Sequence, residues 1–344
     1  MVNVFYILFC ILILLPYSLS AKQDSSSKKM YEVNVSKNLL GTVIEAKVIS
    51  EDINKAKYSL LKAFKEIERI DSVYNFYHIG SPVYLINLNA GIKSQKVSDE
   101  TFQLIKRAIE YSKKYEHLFD ITIGPIIDLW GFNTDKEIKI PSQSSLDSLL
   151  KLVDYRNIIL DEKDTSVELK NKGMMLDLGG IAKGFAVDRA ASILKEEGIN
   201  NFLLNAGGDI CVSGKNDKNE SWSIGIKHPR KPNEILASFK ATNTCIATSG
   251  DYERYADIIG KRYHHIIEPS TGMPGVLSQS VTVMFNTTEE ATVIGKYIFL
   301  IGYEKFEQLK GAKNIKYFIV DSEGKIHYNR KLLKQNSLKI IGEK

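Results

Sequence analysis

LDLGGIAKGFAVDR, residues 176–189, places a carboxylate, two adjacent glycines and a lysine close together and then continues into a helical pattern. LDL is typical of a strand end, and GG of a turn with close backbone approach. Residues 181–198 are typical of an amphipathic helix that a glycine closes. Free N–H groups at a helix start bind anions, and a lysine one turn later adds positive charge. The stretch therefore predicts either a simple helix entrance or a phosphate site around Asp177 and Lys183.

The patterns on both sides of this stretch predict the fold class. Apolar spacing indicates helices at residues 54–70, 99–115, 142–153, 181–197 and 289–301. Short strands and glycine-rich turns follow residue 158, at residues 158–160, 166–169, 202–210, 221–226, 235–250, 263–269 and 280–285. Because the elements do not form a regular βαβ series, we predict a mixed-sheet α+β fold. It forms one globular unit over residues 31–344, with either one lobe or two.

Composition and charge narrow the class of protein. The chain has 344 residues, of which 44% are apolar and 25% charged, with a net charge of +5. This is enough apolar sequence for a large core. The mild positive charge favours an anionic small ligand, and no basic run is interleaved with aromatic residues. We therefore exclude nucleic acid as a partner.

The N-terminal segment predicts export. Residues 1–21 contain no charged side chain, and their apolar run from Val4 to Leu15 is short for a membrane span. Pro16 and the small residues after it are typical of a cleaved signal peptide, although an uncleaved N-terminal anchor fits the same sequence. Residues 22–30 form a polar tether. We expect the protein in the periplasm or attached to the outer face of the cytoplasmic membrane.

Two cysteines remain after the predicted cleavage. Cys211 and Cys245 both lie in apolar, strand-like runs, and neither has the partners of a nucleophile or the spacing of a zinc site. They are interpreted either as two buried thiols or as a disulfide, which the oxidising environment of an exported protein permits.

Three further polar turns follow predicted strands. They are FLLNAGGDI at 202–210, CIATSGDYERY at 245–255 and GKRYHHIIEPSTGMP at 260–274. Each is an ordinary turn when taken singly. Several such turns at strand ends indicate a binding site, because loops at strand ends are where folds of this class assemble sites.

Taken in order, these motifs resemble the ApbE family of flavin transferases. HLFDITIGPIIDLWGF at 117–132 is similar to a further signature of that family, and LLGT at 39–42 and VYNFYHIGSPVYLIN at 73–87 are weaker matches. The resemblance covers roughly residues 38–330. It implies an α+β fold related to the tunnelling fold. It also implies an exported, Mg²⁺-dependent enzyme that cleaves the diphosphate of FAD, attaches FMN to a Thr or Ser hydroxyl of an acceptor protein and releases AMP. The acceptor would be an exported or membrane protein such as an electron-transfer subunit.

The resemblance also assigns site residues. The positions that match the family's FAD contacts are Leu40, Tyr77, Leu118, Phe119, Asp120, Asp177, Lys183 and His264. His265 matches the family's histidine that takes the proton from the acceptor hydroxyl. Lys183 is the second residue with a catalytic role, which it has through its contact with the diphosphate of FAD. The metal positions are the carbonyl of Gly180 and the side chains of Thr292 and Lys296.

The last two of these positions depart from the family, which has an Asp and a Thr there. Mg²⁺ prefers carboxylate oxygen, and an ammonium cannot coordinate it. Three interpretations stay open: the amine of Lys296 takes the place of the cation, Glu289 or Glu290 recruits a displaced metal, or Lys296 points to solvent in a degenerate paralogue. Pro82, Tyr84 and Glu268 are further departures.

Two functions from different classes therefore follow from the sequence. The first is a FAD:protein FMN transferase. The second is a FAD-binding protein, either a flavin carrier or a weak FAD pyrophosphatase, with lost or reduced transferase activity. An unrelated exported binding module is a third hypothesis, which requires that FAD does not bind.

Overall fold

The computed structural model describes residues 29–132 and 138–341. The predicted signal peptide and residues 22–28 of the predicted tether lie outside these ranges, so those predictions are not addressed by the fold. Within the described residues, no helix combines the length and apolar character needed to cross a membrane.

The elements follow in chain order. The strands are β1 (Tyr31–Leu39), β2 (Thr42–Ser50), β3 (Gln95–Lys96), β4 (Ile158–Asp161), β5 (Ser166–Leu169), β6 (Asn201–Ala206), β7 (Asp209–Ser213), β8 (Trp222–Lys227), β9 (Ile235–Ala241), β10 (Thr244–Gly250), β11 (Tyr255–Ile258), β12 (Lys261–His264), β13 (Ile267–Glu268), β14 (Met273–Pro274), β15 (Ser278–Phe285), β16 (Lys316–Asp321), β17 (Ile326–Tyr328) and β18 (Lys339–Ile340). The α-helices are α1 (Ile53–Tyr74), α2 (Pro82–Leu88), α3 (Asp99–Lys114), α4 (Gly124–Trp130), α5 (Gln143–Leu150), α6 (Ala182–Glu196), α7 (Thr288–Glu307) and α8 (Arg330–Asn336).

An eight-stranded sheet organises the chain, in the order β1-β2-β6-β7-β10-β15-β16-β17. Every neighbouring pair in it is antiparallel. Because strands from the beginning and the end of the described chain share this sheet, the α+β single unit is confirmed. The expectation of a mixed sheet is corrected: within the described residues, parallel pairing is limited to an isolated bridge between Ile123 and Met175.

The two faces of this sheet bury different layers. Along a strand, successive side chains point to opposite faces. Ala247 and Ile319 therefore join the larger core, which helices α1, α6 and α7 cover, whereas Ile246 and Phe318 join a second core. The sheet β18-β9-β8 covers that second face through residues such as Trp222.

Two stretches that were each predicted as one strand divide into two strands: residues 202–210 form a hairpin, and residues 235–250 form strands of two different sheets. Residues 202–210 fold as β6, a turn and β7, because Gly207 and Gly208 both adopt positive φ (60° and 97°), as a two-residue hairpin turn of matching twist requires. Residues 235–250 likewise divide into β9 and β10 at Asn243, whose φ is 46°. The Gly207 turn matters for function, because it brings Asp209 back toward the helix layer.

Helix α7 begins where two elements meet. The carboxylate of Asp188, on α6, accepts hydrogen bonds from the backbone N–H groups of Thr288 (2.7 Å) and Glu289 (2.8 Å). A carboxylate at a helix N-terminus satisfies otherwise unpaired donors and the helix dipole. The regular helix ends at Gly302, whose φ of 73° and ψ of 168° are not helical. This junction fixes α7 against α6, and so aligns Lys296 with the start of α6.

Candidate functional site

A cavity of about 810 Å³ opens where the loops of several elements meet. Its wall includes the β1–β2 turn, the segment after α1, the loop before α4, the start of α6, the β6–β7 turn, the end of β10, the segment after β12 and one side of α7. The volume lies within the range of small-molecule sites. The sequence stretches that were singled out as polar turns therefore converge on one place.

The start of α6 forms one side of the cavity. The side chain of Asp177 folds onto the turn, with its Oδ1 accepting a hydrogen bond from the N–H of Gly179 at 2.7 Å. Ile181 precedes the helix and supplies no side-chain cap. An uncapped helix start that lines a cavity is suited to an anion, which favours the interpretation of this stretch as a phosphate site over a simple helix entrance. Burial raises the pKa of Asp177, against the opposing effects of the Gly179 N–H and the cations Arg254 and Lys296.

An aromatic wall faces that helix start. The ring of Phe119 is buried and lies so close to Gly180 that a Cβ there would stand 3.0 Å from its Cε2. Tyr77 lines the cavity mouth, half-exposed, with its ring against Phe76 and its hydroxyl 3.3 Å from Asp128 Oδ1. Flat rings at the wall and at the mouth suit a ligand with planar ring systems.

Two of the other predicted contacts line this side through backbone or hydrocarbon groups. Leu40 lies at positive φ (54°) in the β1–β2 turn, and Leu118 lies beside Phe119. Asp120 also lines the cavity, but its oxygens are already engaged: Oδ1 accepts from the N–H and hydroxyl of Thr122, and Oδ2 from the N–H of Tyr155 at 3.0 Å. These hydrogen bonds hold the loop in shape, and the predicted contact of Asp120 with FAD stays a prediction.

Three cations line the cavity. Lys183 Nζ lies 3.6 Å from Asp209 Oδ2, and Arg254 Nη2 donates to the carbonyl of Gly41 at 3.2 Å. Lys296 Nζ donates to the carbonyl of Gly180 at 3.2 Å. Burial lowers the pKa of Lys296 to about 8, and Lys183 and Arg254 add to this effect while Asp209 and Asp177 oppose it. A bound anion would offset the repulsion among these cations.

Two buried polar atoms in the cavity wall have no hydrogen-bond partner among the described residues. They are Oδ2 of Asp209 and Nδ1 of His265. Such atoms are costly unless a ligand or water completes them. Burial holds the pKa of His265 well below its usual value, and Arg254, Lys183 and Lys296 lower it further. These surroundings favour the neutral form of the imidazole, whose Nδ1 can then be an acceptor of a hydrogen bond.

His264, the residue before His265, lies outside the cavity. His264 Nε2 is 2.8 Å from the carbonyl of Gly275, and its Nδ1 accepts from the N–H of Ile266 at 3.2 Å. The ring packs edge-on against Phe299 in the interior, and it is not among the cavity-lining residues. Successive residues of an extended chain point to opposite sides, so only His265 can face the cavity. The position of His264 does not support its predicted ligand contact.

The donor set on α7 does not fit a divalent metal. Thr292 Oγ1 donates to the carbonyl of Thr288 at 2.8 Å and lies outside the cavity, against Gly184. Glu289 is bound by Arg107 through two hydrogen bonds of 2.9 and 2.8 Å. The described residues contain no group of three or more His, Cys, Asp or Glu side chains arranged to hold a metal. Glu289 is engaged by Arg107, and neither Glu289 nor Glu290 lines the cavity, so the hypothesis that one of them recruits a displaced metal gains no support. The interpretation of Lys296 as a solvent-facing residue is wrong, because its amine lines the cavity and donates to Gly180.

The cavity thus gathers every predicted site residue except His264 and Thr292. Asp209 and Arg254 line the cavity but were not predicted as site residues, although they lie in the polar turns at 202–210 and 245–255. Pro82 and Tyr84 do not line the cavity, because Ser81 caps helix α2 through the N–H of Tyr84 at 3.0 Å. Their departure from the family pattern therefore leaves the cavity wall unchanged.

Comparison with known proteins agrees with this arrangement. The profile of the ApbE family matches residues 40–319. A FAD:protein FMN transferase of Klebsiella pneumoniae (strain 342) is 33% identical over 271 residues, covering 78% of this chain and 82% of its own. A FAD:protein FMN transferase of Escherichia coli (strain K12) is 26% identical, with 83% of each chain covered. The crystal structure of the ApbE protein from Thermotoga maritima superposes with a TM-score of 0.81 at 31% identity, covering 87% of this chain and 97% of its own.

Proposed function

The chain belongs to the ApbE family, and from this premise we infer that it is a FAD:protein FMN transferase. The observation that carries the inference is the convergence of Asp177, Lys183, Phe119 and His265 on one cavity. These residues supply an anion site, an aromatic wall and a neutral base. A transferase acting on a flavin dinucleotide needs each of them.

We propose the following role for each of these residues in FMN transfer. The uncapped start of α6 and the ammonium of Lys183 hold the diphosphate of FAD. Phe119 and Tyr77 provide the faces against which its ring systems lie. His265 Nδ1 accepts the proton of the acceptor's Thr or Ser hydroxyl as that oxygen attacks the phosphorus on the FMN side. The bridging P–O bond breaks, its electron pair stays with AMP, and a phosphoester joins FMN to the acceptor.

We also propose where the protein works. The apolar segment at residues 1–21 supports export, and an exported or membrane protein, such as an electron-transfer subunit, then serves as acceptor. Size determination of the mature protein from separated cell fractions tests this. Cleavage near Ala21 and recovery outside the cytoplasm are expected, and full-length protein in the cytoplasm would contradict the proposal.

The transfer itself is tested with FAD and a soluble acceptor domain that carries a single flavinylation threonine. We expect flavin fluorescence on the acceptor band in a denaturing gel and an equal amount of AMP. An acceptor with Thr→Val at that position should stay unlabelled. Release of FMN and AMP without labelling would identify a FAD pyrophosphatase, and binding without cleavage would identify a flavin carrier.

A further inference from the structure

We propose that the ammonium of Lys296 supplies the positive charge that a divalent metal supplies in metal-dependent diphosphate cleavage, so that this chain transfers FMN without Mg²⁺. This inference rests on the proposed function. It deepens that function by naming a further catalytic residue and by removing a cofactor.

The position of the amine is the first observation. Lys296 lies on α7, lines the cavity, and reaches across to the carbonyl of Gly180 at the opening of α6. That same turn carries Asp177 and the uncapped helix start. The ammonium is therefore held where the diphosphate is expected, and only one of its hydrogen-bond donors is needed for Gly180.

The surroundings of Lys296 argue against a metal at the same place. Mg²⁺ would have to approach the Gly180 oxygen to about 2.0–2.1 Å, and it demands oxygen ligands in octahedral array. The ammonium already lies 3.2 Å from that oxygen, and its charge repels a second cation. Thr292 faces away from the cavity, and Glu289 is neutralised by Arg107. Five carboxylates among the described residues line the cavity, and three of them, Asp71, Asp120 and Glu253, already have partners outside the predicted diphosphate site. The other two, Asp177 and Asp209, act as counter-charges to the lysines.

The cavity supplies fixed positive charge for a diphosphate without a metal. The diphosphate of FAD carries two negative charges, and the cavity presents the ammonium groups of Lys183 and Lys296 together with the guanidinium of Arg254. Asp177 and Asp209 offset part of this positive charge, so the contribution of Lys296 is needed to keep the diphosphate site cationic. When the hydroxyl oxygen attacks and the bridging P–O bond breaks, negative charge grows on the departing phosphate of AMP. A fixed cation at that point stabilises the transition state without having to be recruited from solution.

The first test needs no variant. FMN transfer by the wild-type protein is measured in excess EDTA and again after Mg²⁺ is restored. We expect rates that differ by less than about twofold, because no step depends on the metal. Transfer that is abolished by EDTA and fully restored by Mg²⁺ would overturn the inference while leaving the proposed function intact.

The second test removes the charge. Lys296→Met keeps the length of the side chain, and Lys296→Arg keeps the charge. In EDTA we expect Lys296→Met to slow transfer by about 10²-fold or more, as loss of a charge-stabilising group does, with Lys296→Arg retaining part of the rate. Lys305→Met, at an exposed position of the same helix, is the matched control. Equal rates for wild type and Lys296→Met would overturn the inference.

A binding measurement separates this inference from the proposed function. Calorimetric titration of FAD into wild-type protein and the two Lys296 variants in EDTA requires no acceptor. We expect Lys296→Met to bind FAD at least about tenfold more weakly than wild type, and Lys296→Arg to bind closer to wild type, as expected for a lost charge-assisted contact. If the affinity follows the charge while no acceptor is ever labelled, the proposed function fails and the assignment of Lys296 to the diphosphate stands. If Mg²⁺ tightens the binding of FAD to the wild-type protein about tenfold, the assignment of Lys296 in place of a metal is contradicted.

Discussion

The ammonium of Lys296 donates a hydrogen bond to the carbonyl of Gly180, with Nζ and O 3.2 Å apart. The two residues are 116 positions apart in the chain. This contact ties α7 to the opening of α6 and places a cation beside the predicted phosphate site. It explains how the chain combines the family's motifs with a helix from which the metal-binding residue types are missing.

Gly180 has to remain a glycine for a steric reason. A methyl group at this position would stand 3.0 Å from Cε2 of Phe119, and φ at Gly180 is not in the left-handed region, so the ring contact decides the outcome. We expect Gly180→Ala to weaken FAD binding about tenfold, because overpacking of this kind costs about 1–3 kcal/mol. Fluorescence titration with FAD measures the effect.

The double variant Gly180→Ala, Phe119→Leu is the control for that prediction. Leucine removes the part of the ring that the new methyl group would meet, but it also removes a ring against which FAD is proposed to lie, so the single variant Phe119→Leu is measured as well. We expect Gly180→Ala to weaken FAD binding less in the Phe119→Leu background than in the wild-type protein. If Gly180→Ala costs the same affinity in both backgrounds, the clash is not the cause. The two effects would then have to be independent of each other.

Substitution of the two adjacent histidines should have different effects, one on the rate of FMN transfer and the other on stability. We expect His265→Ala to slow FMN transfer by about 10²–10⁴-fold with little change in stability, since His265 provides the base and its Nδ1 has no protein partner among the described residues. His264→Ala should lower the free energy of unfolding by roughly 2–3 kcal/mol, because two buried backbone groups lose their partner. Transfer kinetics and urea unfolding are measured on both. The assignment is wrong if His264→Ala loses transfer at unchanged stability.

Acid stability should depend on a carboxylate that joins two helices. Glu66, on α1, is hydrogen-bonded to Arg69 and to Arg189 of α6. The hydrogen bonds from Arg69 lower its pKa, burial opposes them, and Arg189 lowers it further. A lowered pKa in the folded state adds stability above the unfolded value of about 4.3, and this stability is lost as pH falls through the folded value.

Urea unfolding of Glu66→Gln tests that dependence. We expect a loss of about 1 kcal/mol at pH 7, and a smaller difference from wild type at about pH 3, where the carboxylate is becoming protonated in both states. Glu162→Gln is the matched control, because its pair with Lys106 is exposed and should contribute little at either pH. A Glu66→Gln effect that stays constant between the two pH values would refute this explanation.

The two cysteines are placed to form a disulfide. Cys211 on β7 lies directly opposite Cys245 on β10, with the thiol sulfurs 3.0 Å apart in the described structure, where both are free. Opposed residues of antiparallel strands have Cα atoms about 4.5–5.5 Å apart, within the range of about 4.4–6.8 Å that a disulfide spans. With oxidised glutathione we expect a disulfide to form as two molecules of glutathione are released.

Mass spectrometry after unfolding and thiol alkylation measures this reaction. The oxidised protein should carry no alkyl group on either residue and should take up two after reduction. Alkylation of both thiols without reduction would show that the pair does not close. Cys211→Ser, which leaves one thiol, controls for mixed disulfides with glutathione.

Much of the fold followed from local patterns. Helix α3 begins at Asp99 as its capping serine and apolar spacing predict, and β5 spans the predicted residues 166–169. Residues 202–210 and 235–250 were each predicted as a single strand, because a strand pattern along the chain does not show where the backbone turns out of one strand into the next. Only the positive φ values of Gly207, Gly208 and Asn243 reveal those turns.

The family, the α+β class and most of the residues that line the cavity could be predicted from short motifs, because the turn before α6, the segment around Phe119 and the segment around His265 are each specified within a few neighbouring residues. Whether Lys296 meets Gly180 or solvent and whether Glu289 is free for a metal were left open, and both adjacent histidines were assigned to the site although only His265 lines the cavity. These three placements depend on side chains that α6, α7 and the main sheet bring together from distant positions. Long-range packing, which no local pattern encodes, decided all three.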